Sequence, residues 1–467
     1  MPSTSTTLTK FNLTTKSTSL PSSPPPYLPP ELLREIFSYL SPDDPICDPH
    51  LDLLSCALVC LSWQPVATEM IPRDLYESTL EFSEECSRTE LYRLGELMGE
   101  ARRLKLNIFD HVQGVTFDIW HVFMSDDDGT LDECRWIVGA GPTGYHFQQG
   151  EAAIVKMLEA LSSHLSELTL DLKHVYNVDD NQLLEFSRIF SSIARHCRNV
   201  SKLVVKNVDE EDEACPILPL VQSLQNSLRS VELLKSCHQT LLDAIQLCPG
   251  IAHARITGSA RGKNSVSLMN ITKSWKHLES LCLDVDMDKD NNLGKLLQVA
   301  ARSCPSLTTL EIIADGSDDA LDIAIIYPLT KWHLESLTII ESYQITSWFL
   351  DQILLYGESL VYLCFDECRE LSTPSVDQTQ ILMRNLKTLE LRYCEALPFE
   401  FVELVIDVCP RLERLVLSEF VDDAGPALRA YGFESEPLAE EDDDGVRVWT
   451  KVGVGVDVDV DVDVDGT

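Results

Sequence analysis

One phrase, apolar-x-x-apolar-x-apolar, returns ten times along this chain and admits few architectures. It starts at Leu165, Val200, Leu228, Ile251, Leu278, Leu307, Leu334, Leu360, Leu386 and Leu412, with steps of 35, 28, 23, 27, 29, 27, 26, 26 and 26 residues. In an extended strand the third and fifth positions after each start point the same way, so both enter a core. The intervening stretches carry a 3.6-residue period at Leu183 to Ile193, Leu241 to Leu247, Leu293 to Ala300 and Phe401 to Val408, which predicts helices. A strand and a helix repeated in register build an α/β solenoid that lengthens without thickening. Its 467 residues would otherwise exceed the roughly 250–300 that one core supports. The expected solenoid spans 81–433, with parallel strands on a concave face and helices on a convex face. An earlier copy is expected at Ala101-Leu104-Leu106, before an insertion at about 107–150.

The ends read differently. Residues 1–27 are rich in Ser, Thr and Pro, and residues 434–467 form an acidic, low-complexity run, so both are expected to be disordered. That final stretch holds −10 of the formal net charge of −38, leaving −28 on the rest. An acidic body repels phosphate backbones and anionic lipid, which disfavours nucleic-acid and membrane partners. The fifteen cysteines lie in apolar stretches, no signal-peptide core precedes them, and no run reaches a membrane span. Free thiols in a reducing cytoplasmic or nuclear compartment are expected.

Residues 28–80 predict a short helical module. Pro29, Pro30 and Glu31 suit a helix start, and Leu32, Leu33, Ile36, Phe37 and Leu40 fall on one helix face. A second apolar stretch runs from Leu53 to Val66 with Trp63. The words Leu28-Pro29-Pro30-Glu31-Leu32-Leu33-x-x-Ile36-Phe37-x-x-Leu40 and Val59-Cys60-x-x-Trp63 resemble an F-box, with Leu75-Tyr76 where that family often has Leu-Trp. The loop from Ser41 to Leu51 is longer than usual, and Leu61 replaces a basic residue. The period of the downstream array is that of leucine-rich repeats. Its pairs Cys248-Pro249, Cys304-Pro305 and Cys409-Pro410, with Cys368 and Cys394 just after strands, resemble the cysteine-containing subfamily found in F-box proteins.

No sequence feature argues for catalysis. Gly139-Ala140-Gly141-Pro142-Thr143-Gly144 spells a dinucleotide fingerprint, but Pro142 and the poor helix former Tyr145 to Gly150 point to a loop. Asp461-x-Asp463-x-Asp465-Gly466 lacks the distal glutamate of a calcium loop. Cys56/Cys60 and Cys364/Cys368 lack the partners of a zinc site. A non-enzyme without cofactor or metal is expected.

The resemblance implies docking on a Skp-family adaptor of a cullin–RING ubiquitin ligase through Leu28, Pro29, Leu32, Ile36, Leu40, Val59, Cys60 and Trp63. The repeats would then hold a protein substrate. Strand alternation nominates a concave-face set, Asp171, Lys206, Glu232, Arg255, Asp284, Glu311, Asp366, Glu390 and Arg392, whose acidic lean suits a basic partner. The alternative is an interaction scaffold without a ligase.

Overall fold

The computed structural model describes residues 28–38, 56, 63, 65–67, 80–82, 88–103, 112–124, 144–173, 175, 180–208, 215–235, 238–260, 263–287, 293–313, 329–342, 345–418, 425–435 and 446–452. Two units divide the chain, Met1–Ile71 and Pro72–Thr467.

In the first unit, helix α1 spans Pro30–Ser38. Proline and glutamate occupy its first turn, where a missing N–H costs nothing and an anion faces the positive helix end. Of the five residues expected on one helix face, the four described differ in burial. Leu33 and Phe37 are buried, and the Phe37 ring meets Trp63 edge-on at 5.6 Å. Leu32 and Ile36, about 100° round the same turns, are exposed. Leu40, Val59 and Cys60 lie outside the described residues.

The second unit is built on one sheet. Its strands are β1 (Leu80–Phe82), β2 (Gly114–Asp118), β3 (Glu167–Asp171), β4 (Lys202–Lys206), β5 (Ser230–Leu234), β6 (His253–Ala260) and β7 (Ser280–Met287). They continue with β8 (Thr309–Ile313), β9 (Ser336–Ile340), β10 (Tyr362–Asp366), β11 (Thr388–Arg392), β12 (Arg414–Leu417), β13 (Phe433–Ser435) and β14 (Arg447–Lys451). From β1 to β12 each strand pairs in parallel with the next in sequence; β14 then adds antiparallel to β12, and β13 to β14. This is the expected α/β repeat solenoid.

Register follows from burial. The two apolar positions of every phrase align from strand to strand: Leu168, Leu203 and Val231 in one row, Leu170, Val205 and Leu233 in the next. All six are buried. Each such side chain contributes about 1.5–3 kcal/mol on burial. A one-residue slip would turn a whole strand's set to water. Helices supply the other half of the core; in Asp180–Ala194 the side chains Phe186, Ile189, Phe190 and Ile193 are buried at 3–4-residue spacing.

Three local devices tie neighbours together. Just before the strand, a buried donor bonds the preceding repeat's backbone. The Cys304 thiol donates to the Thr272 carbonyl at 3.2 Å, Cys409 to Met383 at 2.8 Å, and the Trp332 indole to Cys304 at 2.8 Å. Just after the strand the chain turns through a left-handed residue. Asn207, Lys235, Glu341, Glu367 and Tyr393, each directly following its strand, have φ between 50° and 60°. Turning there aims the N–H at the next repeat, as in Glu341 to Asp366 O (2.9 Å) and Glu367 to Arg392 O (2.9 Å). Third, between β10 and β11 a loop replaces the helix, with only a short 3-10 turn at Gln378–Gln380. The buried Asp351 carboxylate holds this loop, accepting from Ser375 N (2.7 Å), Ser375 Oγ (2.5 Å) and Val376 N (3.2 Å).

Several expectations give way. Ala101 lies in the helix Arg88–Arg103, and Leu104 and Leu106 lie outside the described residues. The early repeat is instead Val112-x-x-Val115-x-Phe117 on β2, inside the expected insertion. Tyr145 to Gly150, expected as a loop, belong to the helix Gly144–Leu161. Gly150 is required there, since a Cβ would stand 2.6 Å from the Phe123 ring. The acidic run expected from 434 onward contains part of β13 and all of β14, because Trp449 buries against the last repeat beside Gly425. Residues 453–467 lie outside the described residues.

Candidate binding surfaces

Odd and even positions of each strand face opposite ways, so the residues flanking the core pair form the sheet's other face. Three rows run across it in register. The first contains Glu167, Lys202, Ser230, His253, Ser280, Thr309, Ser336, Tyr362, Thr388 and Arg414. The middle row contains Thr169, Val204, Glu232, Arg255, Cys282, Glu311, Thr338, Cys364, Glu390 and Val416. The third contains Asp171, Lys206, Leu234, Thr257, Asp284, Ile313, Ile340, Asp366 and Arg392. All the nominated polar residues fall on this face, and most are half-buried; Arg255 is exposed and Glu390 is buried.

Charge on this face is organised as pairs, most of them across strands and one, Glu390 with Arg392, along β11. Lys202 reaches Glu167 at 2.9 Å and Glu232 at 3.1 Å. Burial opposes its charge, yet the two carboxylates hold Lys202 above its ordinary range. Arg255 lies 3.8 Å from Glu311 across the intervening strand. Glu390, only 5% exposed, accepts from Arg392 Nη2 at 2.8 Å and has Arg414 at 3.8 Å. The buried Arg392 Nε lacks a hydrogen-bond partner among the described residues. Burial, aided by Glu367 and Glu390, pushes Asp366 above the usual carboxylate range against the pull of Arg392. Asp171 accepts from Asn207 Nδ2 at 2.8 Å. Partly exposed pairs of this kind contribute about 0–1 kcal/mol each to stability, so they shape a surface more than they hold the fold.

The thiols here are poor nucleophiles. Burial and then the Glu311 carboxylate push Cys282 up to about 12, and burial pushes Cys364 up to about 12. Among the described residues no cluster of His, Cys, Asp and Glu could hold a metal ion, and no helix is long and apolar enough to cross a membrane. Glu167, Lys202, Tyr362 and Arg414 were missed by sequence reasoning because they precede the first core position. The same alternation, read two residues back, would have found them.

A second surface lies on α1. Leu32 and Ile36, four residues apart and therefore adjacent on the helix, are 47% and 45% exposed. Pro29 is exposed and Leu28 half-buried, while Trp63 is half-buried with its ring against Phe37. Of the eight expected docking residues, these five are described, and Leu32 with Ile36 form its apolar, outward part.

Comparison with known proteins bears on the first of the two units. Residues 26–71 match the F-box-like family model. Among solved structures the chain is similar to the complex of Rad7 and Elc1 in yeast, at 16% identity and TM-score 0.41, covering 71% of this chain and 76% of that one. It is also similar to a TLR13–ssRNA13 complex, at 12% identity and TM-score 0.36, covering 67% of this chain and 39% of that one. No curated protein sequence matches. The chain therefore carries an F-box-like domain at residues 26–71, followed by the α/β repeat solenoid described above.

Proposed function

We propose that this protein is a non-catalytic substrate receptor of a Skp–cullin–F-box ubiquitin ligase. The observation that carries the reading is the exposed Leu32/Ile36 pair on a helix whose neighbouring flank, Leu33 and Phe37, already has its core. Two large aliphatics at 47% and 45% exposure, inside an F-box-like domain, suit burial by an apolar adaptor groove. Leu28, Pro29, Leu40, Val59, Cys60 and Trp63 complete the proposed adaptor contact. The sheet face bearing Asp171, Lys206, Arg255, Asp284, Glu311, Asp366, Glu390 and Arg392 holds the protein substrate. The receptor's contribution is proximity, raising the local concentration of substrate lysines beside a ubiquitin-charged enzyme.

A pull-down of a Skp-family adaptor with the full chain tests this. Wild type should retain the adaptor, and Leu32→Lys/Ile36→Lys should lose it with an unchanged urea midpoint, since both side chains face water in the free chain. Adaptor retained by the double variant, or absent from the wild type, refutes the reading; absence from both would favour a scaffold without a ligase.

A further inference from the structure

The third row of the open sheet face changes character at β7 to β10. Asp284, Ile313, Ile340 and Asp366 stand side by side on four consecutive strands, each half-buried. Two aliphatic side chains sit between two carboxylates there. Leu234, the other large apolar residue of the row, is paired with Lys206 instead. In the middle row alongside lie Cys282, Glu311, Thr338 and Cys364, with Glu311 3.8 Å from Arg255.

The spacing specifies a guest. Neighbouring strands are about 4.8 Å apart, so each aspartate lies about 7 Å from the midpoint of the isoleucine pair. The two aspartates are then separated by about 14 Å. An extended peptide laid across the strands presents every second side chain downward, at about 6.8 Å intervals, so positions i, i+2 and i+4 span about 13.6 Å. A central aliphatic side chain would rest between Ile313 and Ile340, with a cation two residues away on each side meeting Asp284 and Asp366.

We infer that this patch binds an extended protein segment of the form basic-x-aliphatic-x-basic, with Lys or Arg at the outer positions. The inference rests on reading the open sheet face as the substrate surface, and deepens it by naming the segment recognised. The charge environment favours such a guest. Burial, with Glu367 and Glu390, pushes Asp366 up against the pull of Arg392, its neighbour in the row, so a further cation brought against it relieves a carboxylate whose ionised form is still disfavoured. The chain's net charge of −38 favours encounter with basic segments.

The test uses the full chain and three fluorescein-labelled nine-residue peptides. The first is Gly-Ser-Lys-Ser-Leu-Ser-Lys-Ser-Gly, the second replaces both lysines by glutamate, and the third moves both lysines one residue toward the leucine. Fluorescence anisotropy should show the first binding about tenfold more tightly than either control, as for paired charges across a partly desolvated contact. Asp284→Asn/Asp366→Asn should weaken it about tenfold and flatten its salt dependence, and Ile340→Asp should weaken it as much. All three sites are half-exposed, so the fold is expected to survive; the circular dichroism of each variant checks this, and the Asp→Asn pair alone suffices should Ile340→Asp fail to fold. Equal binding of the three peptides, binding weaker than about 1 mM, or wild-type affinity in the Asp→Asn pair overturns the inference. Partner capture by proximity labelling that survives Asp284→Asn/Asp366→Asn but is lost with Glu232→Lys/Arg255→Glu overturns this patch while leaving the sheet face as the receptor surface.

Discussion

Replacing Asp351 by alanine should release the loop that stands where other repeats have a helix. Asp351 is 6% exposed and its carboxylate accepts three hydrogen bonds, from Ser375 N, Ser375 Oγ and Val376 N. A hydrogen bond to a charged group is worth about 1.5–3 kcal/mol, and three sharing one carboxylate do not add fully, so about 3–4 kcal/mol is expected for the tether. Ser375 and the 377–380 stretch are exposed, which makes the loss local rather than global. Asp351→Asn keeps Oδ1 as an acceptor for both N–H groups, but it loses the charge and obliges the Ser375 hydroxyl, which donated to Oδ2, to accept from Nδ2 instead, costing about 1 kcal/mol. Native-state hydrogen exchange reads both. In the alanine variant the amides of Ser375 and Val376 should lose about a hundredfold of protection, the equivalent of some 3 kcal/mol, and in the asparagine variant about fivefold. The amides of β10 should be unaffected. Equal protection in the two variants, or Val376 protection within about twofold of wild type in Asp351→Ala, would refute the argument.

Two further outcomes follow from the repeat devices. Burial pushes Cys197, Cys304 and Cys409 up to about 12 from an ordinary thiol value of 9.0, and Cys248 to about 11. The unfolded chain therefore releases these protons first: stability is complete below pH 9 and falls by up to about 1.4 kcal/mol per pH unit per thiol as pH rises above it. Urea midpoints at pH 8 and pH 10 measure this, and a stability unchanged between them would contradict the burial of these groups. Glu367 adopts φ 52° while its N–H bonds Arg392 O, so Glu367→Gly keeps the bond and removes the left-handed strain. The gain, less glycine's own entropy cost, should be about 0.5–1 kcal/mol by urea titration, and a destabilised variant would show that the side chain matters more than the backbone.

Ten of the strands, β3 to β12, were legible because each demands two inward side chains two residues apart, and the phrase records that demand directly. The same phrase at Val112 escaped because it lies 53 residues before Leu165, nearly two periods, with the helix Gly144–Leu161 between. β1 has only Leu80 and Phe82 to announce it. β14 pairs antiparallel and so carries no repeat signature. On α1, periodicity grouped Leu32 with Leu33 and Ile36 with Phe37, since successive residues are only 100° apart on a helix and a wide stripe looks like one face. The structure separates them, and the separation is what nominates the docking pair. The left-handed turns at Glu341, Glu367 and Tyr393 had no signal, because none is glycine or asparagine. Ile313 and Ile340 looked like ordinary strand formers; only register shows them adjacent.

A row of parallel strands has no natural last member: the exposed rim of β12 offers the same N–H and C=O pattern that β11 offered to it. β14 ends that sequence by arriving from the opposite direction, pinned by the indole of Trp449, and leaves β13, three residues long with two of them exposed, as the outermost rung. So short a rim gives a neighbouring molecule little to zip onto. Among the described residues, a few that belong to no repeat thus turn the rim of the last repeat into a three-residue edge.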